Sequence, residues 1–255
     1  MASSRTYFGA DYRASVERIL TAERTAAEVS FMLETTGLRP PARIADFGCG
    51  HGRHAIELAR HGFDVVGIDL NAESLSLART AAGSALPVSF VQADYGSPPL
   101  CDVHLALSLF GSFGFGDDDD NARTLRAWSD VSRAGGWLVL ELWHRDHIVS
   151  HFEPRRVWRA SERLEVSEDR HFDVPTRRIH VHYDYAFADG RLAEHDLVVR
   201  LYSPAEISEL LVESGLTIER LYGSLRGDAY SIESRSFTIF ARKYGRHAPA
   251  AGPEL

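Results

Sequence analysis

The chain has few features that would mark a secreted, membrane-bound or nucleic-acid-binding protein. Its 255 residues include two cysteines, Cys49 and Cys101. Their spacing matches neither a disulfide framework nor a metal-binding pattern, so a reduced, cytoplasmic setting is expected. No apolar run approaches the ~20 residues needed to cross a bilayer. The start, Met1-Ala2-Ser3-Ser4-Arg5, lacks the apolar stretch of a secretory signal. Basic residues form no cluster, and the net charge is −8, which disfavours a phosphate backbone as partner. Internal repeats are absent. At this length one α/β domain with an inserted piece is the simplest organisation.

The glycine-rich stretch is Ile44-Ala45-Asp46-Phe47-Gly48-Cys49-Gly50-His51-Gly52-Arg53. A short apolar run enters a glycine turn, and a helical pattern follows through Ala55, Leu58 and Ala59. A second apolar run, Val65-Val66-Gly67-Ile68, ends in Asp69, which lies 21 residues beyond Gly48 (69 − 48). One β-α-β unit with that spacing carries an acid to the edge of a ribose. Glycines tolerate positive φ and allow a ligand to approach the backbone at a helix N-terminus. A dinucleotide fingerprint would place its third glycine where this chain has Arg53. Asp46, two residues before the first glycine, would repel a pyrophosphate and attract an ammonium. These features point to an adenosine-type cofactor and away from nicotinamide or flavin dinucleotides.

Strand-like and helix-like segments alternate up to about residue 143, which predicts a parallel, doubly wound sheet with its ligand at the carboxyl ends of the strands. Strands are expected near 42–47, 63–69, 87–93, 102–109 and 136–143, with closing strands near 217–223 and 234–242. The helical period is lost over 155–203. Three strand-rich segments replace it, Arg163–His171, Arg178–Phe187 and Arg191–Tyr202, the last two joined by the hairpin signal Asp189-Gly190. The expected organisation is a core of residues 1–154 and 203–243, with N-terminal helices over 1–40. An antiparallel lid occupies 155–202, and a disordered tail covers 244–255.

The glycine motif with its distal acid resembles the first motif of class I S-adenosylmethionine-dependent methyltransferases. The resemblance extends along nearly the whole chain to a bacterial small-molecule branch. It is carried by Glu23–Val29, by Phe110-Gly111-Ser112-Phe113-Gly114-Phe115, by Phe152–Trp158 and by Arg200-Leu201-Tyr202-Ser203. It implies a mostly parallel seven-stranded, Rossmann-like sheet with an inserted lid. S-adenosyl-L-methionine is the implied cofactor, and methyl transfer to O, N or C of a small metabolite, such as a specialised natural product, is the implied activity. Gly48 and Gly50 would then offer backbone to the methionine portion, with Asp46 or a nearby carbonyl at its ammonium, and Asp69 would hold the ribose. Leu70, Asp94 and Tyr95 would border the adenine, with a turn or helix cap as the alternative role for Asp94. Ser108 and Leu109 would border the methionine chain. Arg24 would meet the ligand carboxylate or remain a surface charge.

Catalytic and acceptor-binding residues are less constrained. A sulfonium methyl is already activated, so positioning carries most of the chemistry. His144 stands where the branch tends to carry Asn, just past strand five, and is a candidate base, with a satisfied loop histidine as the alternative. Tyr12 is a candidate to close over the sulfonium, with helix packing as the alternative. Ser112, Trp143, Trp158, Tyr202 and Tyr230 are candidates to surround an acceptor. His180 and His182 share a strand face but lack a third ligand of evident spacing, and the acidic run 117–120 suits a helix start, so no metal is expected. Two other readings remain open: a non-methylating, cyclase-type enzyme using the same cofactor, and a non-catalytic binding module. The expected partner is a small-molecule acceptor, with no nucleic acid and no membrane. The oligomeric state, monomer or homodimer, is open.

Overall fold

The computed structural model describes residues 7–244. The expectation of a disordered tail falls, apart from Tyr244, outside the described residues. Two N-terminal helices come first, α1 (Ala10–Val16) and α2 (Ala22–Thr36), separated by a single tight turn. The Thr21 side chain accepts from the Arg24 N–H to start α2, and Gly37 at φ +65° ends it.

Alternating elements follow: β1 (Arg43–Phe47), α3 (Arg53–Arg60), β2 (Asp64–Asp69), α4 (Ala72–Ala82), β3 (Val88–Gln92), β4 (Val103–Ser108), α5 (Asp118–Val131) and β5 (Ser132–Trp143). The acidic run starts α5. Asp117 and Asp120 form a reciprocal capping box there, and the carboxylates face the positive end of the helix dipole. A short helix, α6 (Arg145–Ser150), leads to β6 (Arg155–Ser161), β7 (Leu164–Asp173), β8 (Arg178–Phe187) and β9 (Leu192–Arg200). The chain returns through α7 (Pro204–Glu213), capped by Ser203 and Glu206, to β10 (Leu216–Tyr222) and β11 (Ser236–Lys243).

The main sheet has the order β10-β11-β5-β4-β1-β2-β3, with β11 antiparallel to both of its neighbours and the remaining pairs parallel. Strand order reverses between β1 and β4, so the crevice at their carboxyl ends is the switch point of the fold. Two apolar clusters cover the two faces of this sheet. One is built on Ile44, Leu105 and Leu107 and the other on Ala45, Phe47 and Ala106, so β1 and β4 bury apolar side chains on both faces.

The second sheet is antiparallel, in the order β6-β7-β8-β9. Its dry face (Val166, Ile179, Val181, Tyr183, Leu197) packs with Tyr7, Phe8 and Tyr12 from the N-terminus, with Phe115 beyond β4 and with Trp143 at the carboxyl end of β5. The inserted sheet is therefore present as the sequence predicts, with one strand more. Strand β6 was not expected because it is an edge strand exposed over most of its length: Arg155, Arg156, Val157 and Arg159 face solvent and only Trp158 and Ala160 reach the apolar cluster, too short an alternation to read.

Candidate active site

The glycine turn is built by its neighbours. The N–H groups of Gly48 and Cys49 donate to the Ile68 carbonyl at 2.8 and 3.1 Å, tying the turn to the end of β2. Gly48 sits at φ +73°, and a Cβ there would lie 2.6 Å from Ser112 Cβ, so the loop after β4 forbids any side chain. Gly50 also has positive φ, +55°, but a Cβ there would meet nothing within 4 Å. It opens onto a cavity.

Two acids of different character line that cavity. Asp69, half-buried, accepts from the Gly50 N–H at Oδ2 and the Asn71 N–H at Oδ1, both at 2.8 Å. Two carboxylate oxygens offer about four lone-pair directions, so roughly two remain for a ligand. Burial pushes the Asp69 carboxyl up, against the pull of those backbone N–H groups. Asp46 is only 3% exposed, and its Oδ2 is buried without a hydrogen-bond partner among the described residues. Burial, with the neighbouring Asp69 carboxylate, raises its carboxyl to about 7, while Arg53 opposes the rise.

Arg53 opens α3 and also faces the cavity. Its Nη1 donates to Glu28 Oε2 at 2.5 Å and to Thr25 Oγ1 at 3.1 Å, while its Nη2 is buried with no partner among the described residues. Glu28, buried on α2, also accepts from Arg24 Nε at 2.7 Å and lies 2.8 Å from His54 Nε2. Burial would raise the Glu28 carboxyl, but the His54 hydrogen bond and the arginines prevail and hold it at about 2. Burial and Arg53 keep His54 neutral near pH 7. Phe110 adopts φ +56°, unusual for a residue with a side chain. Its N–H donates to buried Glu141 at 2.8 Å, and its ring lies 5.6 Å from each of the Arg24 and Arg53 guanidinium carbons.

Among the residues singled out from sequence, Asp46, Gly48, Gly50, Asp69 and Leu70 come together here. Tyr12, Tyr95, Leu109 and Ser112 line the same cavity. The other candidates lie elsewhere. Arg24 is turned to Glu28 and does not line the cavity. Asp94 accepts from the Gly96 N–H at 2.8 Å and borders a neighbouring cleft, the turn role that was its alternative. Ser108 is fully buried within β4. Trp143 walls a second cavity, and Trp158 packs against the dry face of the second sheet. The Tyr202 hydroxyl accepts from Asn121 Nδ2 at 3.0 Å in the core.

The expectation for His144 is corrected. It is fully buried; Nδ1 lies 2.8 Å from the Ser234 carbonyl and Nε2 lies 3.1 Å from the Tyr230 hydroxyl. Tyr230 is thereby engaged as well. His144 pins the loop before β11 and is absent from the cofactor cavity lining. Sequence reasoning missed Arg53 and Glu28. A signal existed for Glu28, an acid three residues after Thr25 and four before Met32 on the buried face of α2.

Residues 44–136 match the family model described as Methyltransferase domain. YqeM of Bacillus subtilis (strain 168), a protein whose name marks it as a methyltransferase by inference, is 48% identical over 52 residues. That match covers 20% of this chain and 21% of YqeM, so the chain spans about a fifth of that relative's length. The structure of the CcbJ methyltransferase from Streptomyces caelestis superposes with a TM-score of 0.77 at 17% identity, covering 86% of this chain and 90% of CcbJ. CalS10 from Micromonospora echinaspora was solved with S-adenosylmethionine bound. It matches at TM-score 0.68 and 23% identity, over 91% of this chain and 94% of its own. Residues 44–136 thus match a methyltransferase domain, and the chain shares the fold of these methyltransferase structures, CalS10 with its S-adenosylmethionine among them.

The residues present fit that cofactor. A methionine tail carries one ammonium and one carboxylate, and the cavity wall holds one buried unpartnered carboxylate oxygen, on Asp46, and one buried unpartnered guanidinium nitrogen, on Arg53. Gly50 leaves room for the tail to lie against the turn.

Proposed function

We propose that the protein transfers a methyl group from S-adenosylmethionine to an oxygen, nitrogen or carbon of a small metabolite of the specialised natural-product kind. The observation that carries this reading is the pairing of Asp46 Oδ2 with Arg53 Nη2 across one cavity, complementary to a zwitterionic tail. Asp46 would take the ammonium, Arg53 the carboxylate and Asp69 the ribose hydroxyls. When bound, the cofactor supplies a sulfonium methyl that needs no further activation. The chain's own contribution is to hold that tail, place the acceptor in line and keep water out. Phe8, Tyr12 and Phe115 supply apolar surface on the acceptor side. No base is assigned. Within the cavity lining His51 carries an imidazole kept neutral by burial and by Arg53, and Tyr12 a phenol that burial pushes up.

CalS10 is named an amino pentose methyltransferase involved in calicheamicin biosynthesis. Amino sugars are therefore the first acceptor class to offer. The test is calorimetry with S-adenosylmethionine, followed by mass spectrometry of the spent cofactor with an acceptor panel. S-adenosylhomocysteine is expected. Methylthioadenosine would move the protein to the cyclase-type reading, and absence of cofactor binding would overturn the proposal.

A further inference from the structure

A second cavity lies behind Trp143. The indole forms part of its wall and backs onto Gly111, where a Cβ would come within 3.0 Å of the indole nitrogen; Gly111 sits between Phe110 and Ser112 of the cofactor cavity. The dry face of β8 lines the second cavity with Ile179, Val181 and Tyr183. At its edge stand His147, on α6, and His151, which immediately follows that helix. They are four residues apart, and their rings stack at 4.4 Å with 26° between planes. Glu233, from the segment between β10 and β11, faces them, with its Oε2 3.4 Å from His151 Nε2.

Three features favour coordination over a chance cluster. The His151 Nδ1 is engaged locally, 3.1 Å from the His147 carbonyl and 3.0 Å from the Ser150 hydroxyl, which leaves Nε2 as the ring nitrogen turned toward Glu233. The His147 ring has no hydrogen bond among the described residues, although its Nδ1 is buried. The other carboxylates of the cavity are tied to arginine, Glu153 to Arg156 and Glu168 to Arg156 and Arg170, whereas Glu233 pairs, among the described residues, with His151 alone. One donor atom from each of the three residues lies within 4.8 Å of the others. Tetrahedral zinc spaces its ligand atoms roughly 3.3–3.6 Å apart, so a small inward movement closes the set.

We propose that His147, His151 and Glu233 bind one divalent transition-metal ion of the zinc type, with at least one coordination position left for water or an acceptor heteroatom. This departs from the sequence reading, in which no metal is expected, because Glu233 lies too far along the chain to register with the two histidines. The ion would clasp the 223–235 segment to α6 at the rim of the second cavity. His144 serves the same segment through the Ser234 carbonyl.

The experiment is a competition titration of zinc against a chromophoric chelator, on the full chain after chelation and dialysis. One equivalent should bind with a Kd on the order of 1 μM, and His151→Asn and Glu233→Gln should each weaken binding at least about tenfold. Circular dichroism of each variant checks that the fold is intact. His61→Asn, beside Glu57 elsewhere on the surface, should bind as the unaltered chain does. The proposal fails if the unaltered chain shows no binding below ~100 μM, if either cluster variant binds normally, or if His182→Asn abolishes binding instead. That last result would place the ion at the His182–Asp184–Asp196 group.

Discussion

The two sheets deploy their polar groups in opposite ways. In the main sheet the interiors of β1 and β4 are apolar on both faces, and the groups offered to a ligand sit on β1 and at the carboxyl end of β2, as Asp46 and Asp69. In the second sheet, β8 alternates Ile179, Val181, Tyr183 and Tyr185 with His180, His182 and Asp184, and its dry face is at once a core and a cavity wall. The first arrangement keeps most of the surface that drives folding apart from the groups that bind. The second merges them, since a change on the dry face alters packing and cavity shape together.

Tyr183→Ala tests that merger and carries the largest expected effect. Tyr183 is 5% exposed, its ring lies 4.8 Å from that of Tyr7, and it lines the second cavity. Truncating a buried aromatic costs about 3–5 kcal/mol. Urea unfolding should show that loss, and acceptor KM should rise while S-adenosylmethionine affinity, measured well below the transition, stays within about twofold. A matching loss of cofactor affinity would mean that the two regions are one energetic unit.

Asp46→Asn examines the other side of the comparison. Between the ordinary carboxyl value of 3.8 and its folded value of about 7, the folded chain keeps a proton that the unfolded chain releases. Raising the pH through that window therefore costs stability, at ~1.4 kcal/mol per pH unit, up to ~4 kcal/mol above pH 7. The amide has no such ionisation. Asp46→Asn should accordingly be more stable than the unaltered chain at pH 8 and lose that advantage by pH 4, while binding the cofactor more weakly. Urea titrations at the two pH values check the first statement and calorimetry the second. Equal stability at pH 8 would show that Asp46 is not held as a strained anion.

Asp69→Ala should lower S-adenosylmethionine affinity by ~3 kcal/mol, about a hundredfold, because the carboxylate would accept charge-assisted hydrogen bonds from both ribose hydroxyls. It also removes the acceptor of the Gly50 N–H, so part of the loss comes from a looser turn. Asp69→Asn separates the contributions. It keeps an amide oxygen for one backbone N–H, and should recover the turn, reported by thermal stability, without recovering full affinity.

The glycine turn and its distal acid were legible because each demands a residue type: positive φ at Gly48 and Gly50, and an anion two hydrogen bonds deep at Asp69. The choice between arginines was not legible. Arg24 and Arg53 both converge on Glu28, and only the packing of α2 against α3 decides which keeps a free nitrogen in the cavity. Position after β5 was equally ambiguous for His144. A residue there faces the ligand unless something covers it, and the covering segment, 223–235, arrives some ninety positions later: the His144 N–H donates to the Arg235 carbonyl at 3.0 Å. Tyr202 was misplaced for a related reason, since its partner Asn121 lies on α5, remote in sequence.

The smallest predicted effect is the sharpest check on that correction. His144→Asn removes one of the two ring contacts, to Ser234 or to Tyr230, and leaves a cavity smaller than an imidazole beside Phe237. An unmade hydrogen bond at a buried site costs about 1–3 kcal/mol, and Asn can remake one of the two, so a loss of ~1–2 kcal/mol in urea unfolding is expected. A general base contributes typically 10²–10⁴-fold, so the base reading demands a collapse of turnover and loss of a rate step near neutral pH. The buried position demands neither. For any acceptor that the unaltered chain methylates, His144→Asn should keep turnover within a few-fold per folded molecule and leave the pH profile in place. Its effect should instead reach the segment that carries Glu233. A hundredfold fall in turnover at unchanged stability would return His144 to the reaction.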